Sequence, residues 1–265
     1  MTKLRFSRKQ LCIPYAVFLI LFVIAPLIVI LYYAFTNGEG KFSFSNFSNF
    51  FTSTNTLGTL FYSFGLAIVT TLVCLIIAYP TAYILARSNI KKKYVLLMLF
   101  VLPMWINFTL RITALKEILS VLEGNISKYP FLNSVIGMTY DFLPFMLLPL
   151  YTSLQKMDNS LLEAASDLGA NRVTVFLRVT LPLSVPGIIS GMTMVLLPSM
   201  TNYVVLDMLY NSEYIMGSLI GSYFSAYDWH NGSMISLVLL VIIFIVTLVT
   251  NRFSDKEANT RGSML

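Results

Sequence analysis

Six long apolar segments, separated by short polar stretches, set the pattern of this chain. A helix that crosses a membrane needs about 20 mainly apolar residues, because the hydrocarbon core is about 30 Å thick. All six segments approach or exceed that length, although Asp141, Pro144 and Pro149 interrupt the fourth. We therefore predict an all-α, polytopic membrane helical bundle with six transmembrane helices, at residues 14–35, 60–86, 94–111, 133–154, 186–206 and 233–250.

The first apolar segment resembles a signal peptide, because Lys3, Arg5, Arg8 and Lys9 precede it. The apolar run continues to Phe35, which is too long for the apolar part of a cleaved signal, and no small-residue cleavage site follows. We expect this segment to remain in the protein as the first span.

The distribution of basic residues indicates the orientation of the spans. Fourteen of the 18 Lys and Arg residues fall in the N-terminal tail, the 87–93 loop, the 155–185 loop and the C-terminal tail. Because cytoplasmic loops carry the excess of Lys and Arg, we expect both termini in the cytoplasm. The 207–232 loop contains three carboxylates and neither Lys nor Arg, which suits an external loop.

The composition supports a membrane protein and excludes several functions. Charged residues make up 11% of the chain, hydrophobic residues 57%, and the mean hydropathy is +0.76. A soluble domain carries about 25% charged residues. The net charge of +6 is explained by cytoplasmic loops, so we expect no nucleic-acid partner. One histidine, with Cys12 and Cys74 lacking metal-ligand spacing, predicts that the chain holds no metal.

The 155–185 loop is the most informative polar stretch, because it predicts a short capped helix between two spans. Ser160 and Glu163 have the spacing of a capping box just before an apolar-periodic run. Gly169 is placed to end this helix in a left-handed turn.

A second short helix is predicted to follow the glycine. Asn171 is placed to cap it, and it must end before Pro182. The spacing alone leaves two interpretations open. The pair of helices either docks onto a cytoplasmic protein or lies on the membrane surface as an amphipathic linker.

The sequence of this loop resembles the EAA loop of bacterial ABC-importer permeases. EAA at residues 163–165 is followed by Gly169 and by Leu-Pro at residues 181–182. The family pattern is EAA, three residues, Gly, nine residues, Ile, one residue and Leu-Pro, and this chain departs from it only at Val179. The resemblance implies a type I ABC-importer permease fold, in a single transmembrane permease domain across residues 1–265.

By this resemblance, the first short helix is a coupling helix that sits in a groove of a separate ATP-hydrolysing subunit. The implied partners are two copies of that ATPase, a second homologous permease subunit, an extracellular or periplasmic solute-binding protein and membrane lipid, at the bacterial cytoplasmic membrane. ATP and Mg²⁺ belong to the ATPase, since this chain has no Walker A sequence and is not expected to be an enzyme or to bind a cofactor. The residues implied in ATPase coupling are Glu163, Ala164, Ala165, Asp167 and Gly169.

Three further stretches, residues 102–112, 148–158 and 161–170, resemble permease subunits of spermidine/putrescine importers. This resemblance implies that the chain forms, with a second permease, a passage for spermidine or putrescine. Importers for iron, sulfate, thiamine or another small solute share parts of these stretches and remain the alternative.

Small residues in the fifth segment predict close helix packing. Gly187 and Gly191 are four residues apart near its start, which lets another helix approach the backbone. That helix lies either in the same chain or in a second permease.

Polar groups at membrane depth are costly, so they face a partner or a cavity. Asp141 either pairs with Arg111 and stabilises the bundle, or faces the passage. A polycation needs separated carboxylates and aromatic faces along its path. The residues of these types at suitable depth are Trp105, Asn107, Tyr140, Asp141, Tyr203 and Asp207.

Two other functional classes are less favoured by the sequence. A secondary transporter driven by an ion gradient is expected to show inverted repeats, and the six segments show none. An intramembrane enzyme is disfavoured because H-E-x-x-H, G-x-S-x-G and a close pair of intramembrane aspartates are missing from the sequence.

Overall fold

The computed structural model describes residues 12–88, 90–209 and 214–262. Regular structure in these ranges is helical, apart from an isolated antiparallel bridge between Thr36 and Phe42, so the predicted all-α class is confirmed. The basic side chains at residues 3–9, 256 and 261, used above for orientation, lie outside the described part. The helices are α1 (Cys12–Ala34), α2 (Ser45–Thr52), α3 (Thr54–Arg87), α4 (Lys93–Trp105), α5 (Phe108–Glu123), α6 (Pro130–Gln155), α7 (Asn159–Asp167), α8 (Arg172–Thr201), α9 (Val204–Leu209), α10 (Met216–Ser225) and α11 (Trp229–Gly262).

Five of these helices are long and apolar enough to cross a membrane, namely α1, α3, α6, α8 and the Trp229–Thr250 part of α11. Helices α4 and α5 pass the same test together, but they meet at an angle of 98°. The predicted third span at 94–111 is therefore wrong as a single helix, whereas the other five predicted segments each fall on one spanning helix, the fifth extending past its end.

The break in the third predicted span has a local cause. Pro103 lies in the 3-10 turn that ends α4, and Ile106 is extended with ψ of 142°. The side-chain oxygen of Asn107 then accepts the N–H groups of Thr109 at 3.0 Å and Leu110 at 3.4 Å. These bonds satisfy the first amides of a new helix, so α5 begins in a new direction.

Helix α8 is continuous past Pro182, although we expected the second short helix to end before this proline. Residues Phe176–Thr180 form a π turn, in which the N–H of Leu181 donates to the carbonyl of Phe176. The wider turn carries the helix past the proline ring, which in an α-helix clashes with the carbonyl four residues earlier. The predicted fifth span, 186–206, is the later part of this helix, which ends at Thr201.

The described residues divide into two compact units. The first contains the residues up to Leu57 together with Leu219–Ile242, and the second contains Gly58–Ser218 together with the residues from Ile243 onward.

Polar contacts organise the first unit around the end of α1. His230 donates from Nδ1 to the carbonyl of Tyr33 at 3.2 Å, and its ring lies edge-on to the Tyr33 ring at 5.3 Å. The amide of Asn46 on α2 donates to the carbonyls of Ala34 and Thr36 at 3.2 and 2.9 Å. These bonds satisfy backbone groups where α1 stops.

The second unit is built around the contact of α6 with α8. A Cβ added to Gly187 would lie 2.5 Å from Cβ of Ser153, and one added to Gly191 would lie 2.7 Å from Sδ of Met146. The two glycines therefore let the helix backbones approach closely. The predicted close packing at these glycines is confirmed, and the partner helix belongs to the same chain.

We expect Gly187→Ala to destabilise the chain by about 1–3 kcal/mol, because overpacking forces neighbouring atoms to move. The atoms in the way include the Pro149 carbonyl oxygen at 3.1 Å, which is backbone and moves reluctantly. The measurement is the apparent melting temperature of the purified chain in detergent. Gly65→Ala on α3 is the matched control, since a Cβ there meets nothing within 4 Å. Equal melting temperatures for the two variants would contradict the close packing.

Candidate functional site

Helix α7 begins at a carboxylate cap. Asp158 accepts the N–H of Ser160 at 3.0 Å. This hydrogen bond holds the pKa of Asp158 below its usual range, so the carboxylate is charged at neutral pH and favours the helix N-terminus. The predicted capping box of Ser160 and Glu163 is therefore wrong, because Asp158 takes the amide that starts the helix.

Helix α7 ends as predicted, in a left-handed glycine turn. Gly169 has φ of +83°. Its N–H donates to the carbonyl of Ser166 at 2.9 Å, and the N–H of Ala170 donates to the carbonyl of Ala165 at 3.1 Å. This pair of bonds is a Schellman motif, which satisfies the last carbonyls of the helix.

The surface of α7 is open to solvent. Leu161 and Leu168 are 48% and 89% exposed, so two large apolar side chains stand free on a short polar segment. The residues predicted to couple the chain to a partner all lie here, exposed except for a half-buried Ala165: Glu163, Ala164, Ala165, Asp167 and Gly169.

The second limb of this segment starts at Asn171, as predicted. Its side-chain oxygen accepts the N–H of Thr174 at 2.8 Å and the hydroxyl of Thr174 at 2.9 Å. Helix α7, the Gly169 turn and the start of α8 therefore form a helix, turn and helix, and the second helix runs directly into a span.

A buried ion pair forms a second polar site, between α5 and α6. Nη2 of Arg111 lies 2.5 Å from Oδ1 of Asp141, and the two side chains are 7% and 8% exposed. Nδ2 of Asn202, just after α8, donates to the other carboxylate oxygen at 3.4 Å. The predicted pairing of Asp141 with Arg111 is present in this structure.

Aromatic rings surround the guanidinium of this pair. The Arg111 guanidinium carbon lies 5.7 Å from the ring centre of Tyr140 and 5.9 Å from that of Phe108. Nε and Nη1 of Arg111 are buried without a hydrogen-bond partner among the described residues. The site is therefore a place where an apolar, aromatic setting holds a cation against one carboxylate.

The other residues predicted for the passage occupy two further places. Trp105 is 86% exposed at the end of α4, and the side-chain oxygen of Asn107 is used by the cap of α5. Tyr203 is 39% exposed between α8 and α9. Asp207 is exposed on α9.

Two contacts were missed by reasoning from the sequence. The sequence analysis assigns no role to Asn202, because only the fold brings its side chain to Asp141. Arg87 was counted only as a loop charge, yet its guanidinium donates to the side-chain oxygen of Asn159, the first residue of α7. In the sequence, the signal for this contact is the position of Arg87 eight residues after Tyr79, which places both side chains on one helix face.

Solved structures define the class to which this fold belongs. A chain of a bacterial ABC transporter that imports the acidic polysaccharide alginate matches with a TM-score of 0.76 at 15% identity, over 94% of both chains. The alginate transporter in complex with an alginate pentasaccharide-bound periplasmic protein matches with a TM-score of 0.74 at 15% identity, over 94% of this chain and 93% of that one. The fold is that of an ABC-importer permease.

The sequence places the chain in a family. Residues 78–256 match the family described as "Binding-protein-dependent transport system inner membrane component". The spermidine/putrescine transport system permease protein PotB of Haemophilus influenzae is 36% identical over 256 residues, which cover 88% of this chain and 89% of that protein. This chain belongs to that family of ABC-importer permeases. It is a multi-pass membrane protein that functions in transport.

We expect Arg111→Gln to destabilise the chain by about 3–5 kcal/mol, because it leaves a buried carboxylate without its counter-charge. The double variant Arg111→Gln/Asp141→Asn removes both charges, so its loss should be smaller than the sum of the single losses. Apparent unfolding free energies of the purified chain in detergent measure both. Arg172→Gln, at an exposed arginine, is the control. Losses that simply add in the double variant would show that the pair is not coupled.

Proposed function

We propose that this chain is one of two permease subunits of an ABC importer for polyamines. It converts ATP hydrolysis by a separate subunit into alternating access of a passage shared with the second permease. The observation that carries the proposal is the exposed α7 with its glycine turn, because this segment joins two spans, α6 and α8, without another element between them. A displacement of α7 is therefore delivered directly to two membrane helices.

The exposed side of α7 is the surface that meets the ATPase. The small side chains of Ala164 and Ala165 allow a close approach, and Leu168, just after the helix, supplies apolar contact. Glu163 and Asp167 add charged groups to the same surface. Two copies of the ATPase hold the ATP and Mg²⁺, and this chain binds neither.

The remaining partners follow from orientation. Both termini lie in the cytoplasm of a bacterium, so α7 is on the ATPase side of the cytoplasmic membrane. A solute-binding protein delivers substrate on the other side, by analogy with the alginate transporter in complex with its periplasmic protein. None of the residues in the most apolar stretch of α1 is buried in this chain. We therefore assign the surface of α1 to contacts with lipid and with the second permease.

The proposed substrate class rests on charge and on the relatives. Two relatives at 36% identity are named for spermidine and putrescine transport. These substrates are flexible polycations, which carboxylates and aromatic faces attract. Arg111 already neutralises Asp141, so a passing ammonium group binds weakly and is released easily. The passage contacts we propose are Trp105, Asn107, Tyr140, Asp141, Tyr203 and Asp207.

Mass spectrometry of proteins that co-purify with the tagged chain from its native membrane tests the assembly. We expect a second permease and an ATPase in stoichiometric amounts. The complex reconstituted in liposomes with its binding protein should take up labelled spermidine only when ATP is supplied.

Each result of that experiment has a separate meaning. A chain isolated alone, or as a homodimer without an ATPase, would contradict the importer assignment. An assembled complex that hydrolyses ATP but takes up no polyamine would overturn the substrate and leave the importer class intact.

Gly169→Val tests the coupling role of α7. A β-branched residue is strained by about 1–2 kcal/mol at positive φ, while the space around Gly169 is open, so the change distorts the turn without disturbing any packing. We expect spermidine uptake to fall sharply while membrane insertion persists. Gly169→Asn is the control, because Asn tolerates the left-handed conformation. Normal uptake by Gly169→Val would refute the docking account.

A further inference from the structure

One face of α3 carries three residues at spacings of four. Tyr79, Tyr83 and Arg87 stand at i, i+4 and i+8, so their side chains line one side of the helix. We call these three residues the α3 stripe. All three contact the segment that contains α7 and the start of α8.

Tyr79 and Tyr83, the first two residues of the stripe, hold the start of α8 through a hydrogen bond and two ring contacts. Ser184 donates its one hydroxyl proton to the carbonyl of Leu181 at 2.8 Å, so the Tyr79 hydroxyl donates to Ser184 Oγ at 2.9 Å. The rings of Tyr79 and Tyr83 both meet the ring of Phe176 edge-on, at 5.9 and 5.7 Å with interplanar angles of 86° and 89°. Edge-to-face contacts of this kind are specific in geometry.

Arg87, the last residue of the stripe, holds the start of α7. Nη1 of Arg87 donates to Oδ1 of Asn159, the first residue of that helix. Nε and Nη2 of Arg87 are buried and have no hydrogen-bond partner in the described part of the chain. The stripe therefore contacts both limbs of the helix, turn and helix segment, one on each side of the glycine turn.

Phe176, which contacts both tyrosines, lies where α8 is irregular. Phe176 is the first residue of the π turn, and the helix continues from it through Pro182 into the span. The irregular turn at the base of α8 is thus the place where α3 meets it.

We infer that the α3 stripe makes α3 move together with α7 when the ATPase shifts the coupling helix. The inference rests on the proposed function. Helices α6 and α8 are joined to α7 by the chain itself, whereas α3 is distant in sequence and can follow only through side-chain contacts. Tyr79, Tyr83 and Arg87 are therefore positioning residues for transport, acting through Phe176, Ser184 and Asn159.

The experiment is the number of ATP molecules hydrolysed per spermidine taken up by the complete importer in liposomes. Tyr83→Ala/Arg87→Ala is expected to raise this ratio about two- to thirty-fold, the range that coupling mutations produce. The amount of ATPase that co-purifies should not change. Tyr83→Phe/Arg87→Lys, which keeps a ring and a cationic donor, should restore most of the coupling.

The matched control lies on the same helix. Ile68→Ala/Leu72→Ala removes two side chains that are 38% and 46% exposed, two to three turns before the stripe, and should leave the ratio at the wild-type value. A ratio that stays at the wild-type value in Tyr83→Ala/Arg87→Ala, or uptake and hydrolysis that fall together, overturns the inference.

A distance measurement tests this inference independently of the substrate assignment. Spin labels on cysteines introduced at two exposed positions, Ile84→Cys on α3 and Val173→Cys on α8, report the separation in the importer at rest and trapped with ATP and vanadate. Cys12→Ser removes the exposed native thiol that would also take a label. We expect the same distance in both states. A distance that changes on trapping overturns the stripe, whereas ATP hydrolysis without spermidine uptake overturns only the polyamine proposal.

Discussion

In a lipid bilayer no water is available to a backbone N–H or C=O, so a spanning segment must satisfy these groups within the chain. This constraint explains why the described spans are helices. It also explains why side chains form hydrogen bonds with backbone groups where a helix is interrupted. On α6 the hydroxyl of Thr152 adds a donor to the carbonyls of Leu148 and Pro149, at 2.8 and 3.0 Å. Where a helix must start afresh, at Asn107 or Asn171, a side-chain amide oxygen takes the first free amides.

Once the backbone is satisfied, helices in lipid gain little from burying apolar surface against each other, because the surrounding acyl chains are equally apolar. Specific contacts must therefore hold them. At the contact of α6 with α8, Gly187 and Gly191 lack side chains, so the two backbones come close. Elsewhere Asp141 accepts hydrogen bonds from two other segments, through Arg111 and Asn202. Close approach and buried polar bonds together give the second unit a defined packing that apolar pattern alone does not specify.

Five of the six predicted spans and the glycine turn could be predicted from the sequence because each depends on local information. A run of apolar residues, or a glycine before a capping asparagine, indicates the local structure without information from distant residues. The break at Asn107 and the passage of α8 through Pro182 could not be predicted in the same way, since each was decided by competition between two acceptable local structures. The carboxylate of Asp158, two residues before the expected cap, accepts the amide of Ser160 and caps the helix instead. Contacts such as that of Arg87 with Asn159 depend on the fold. The sequence indicates them only through the helical spacing of Tyr79 and Arg87.

Helix α7 has no buried residue and only nine residues, so packing within this chain does not stabilise it. Isolated helices shorter than about 12–15 residues are marginal in water, which makes the Asp158 cap and the Schellman turn necessary to keep α7 formed. A helix stabilised only at its ends presents its whole side to a partner without losing its shape. A partner can displace it as a body, and the displacement is passed on through the few contacts that it makes with its own chain. The contacts it does make, through the chain to α6 and α8 and through Arg87 to α3, are then the routes by which a displacement reaches the membrane.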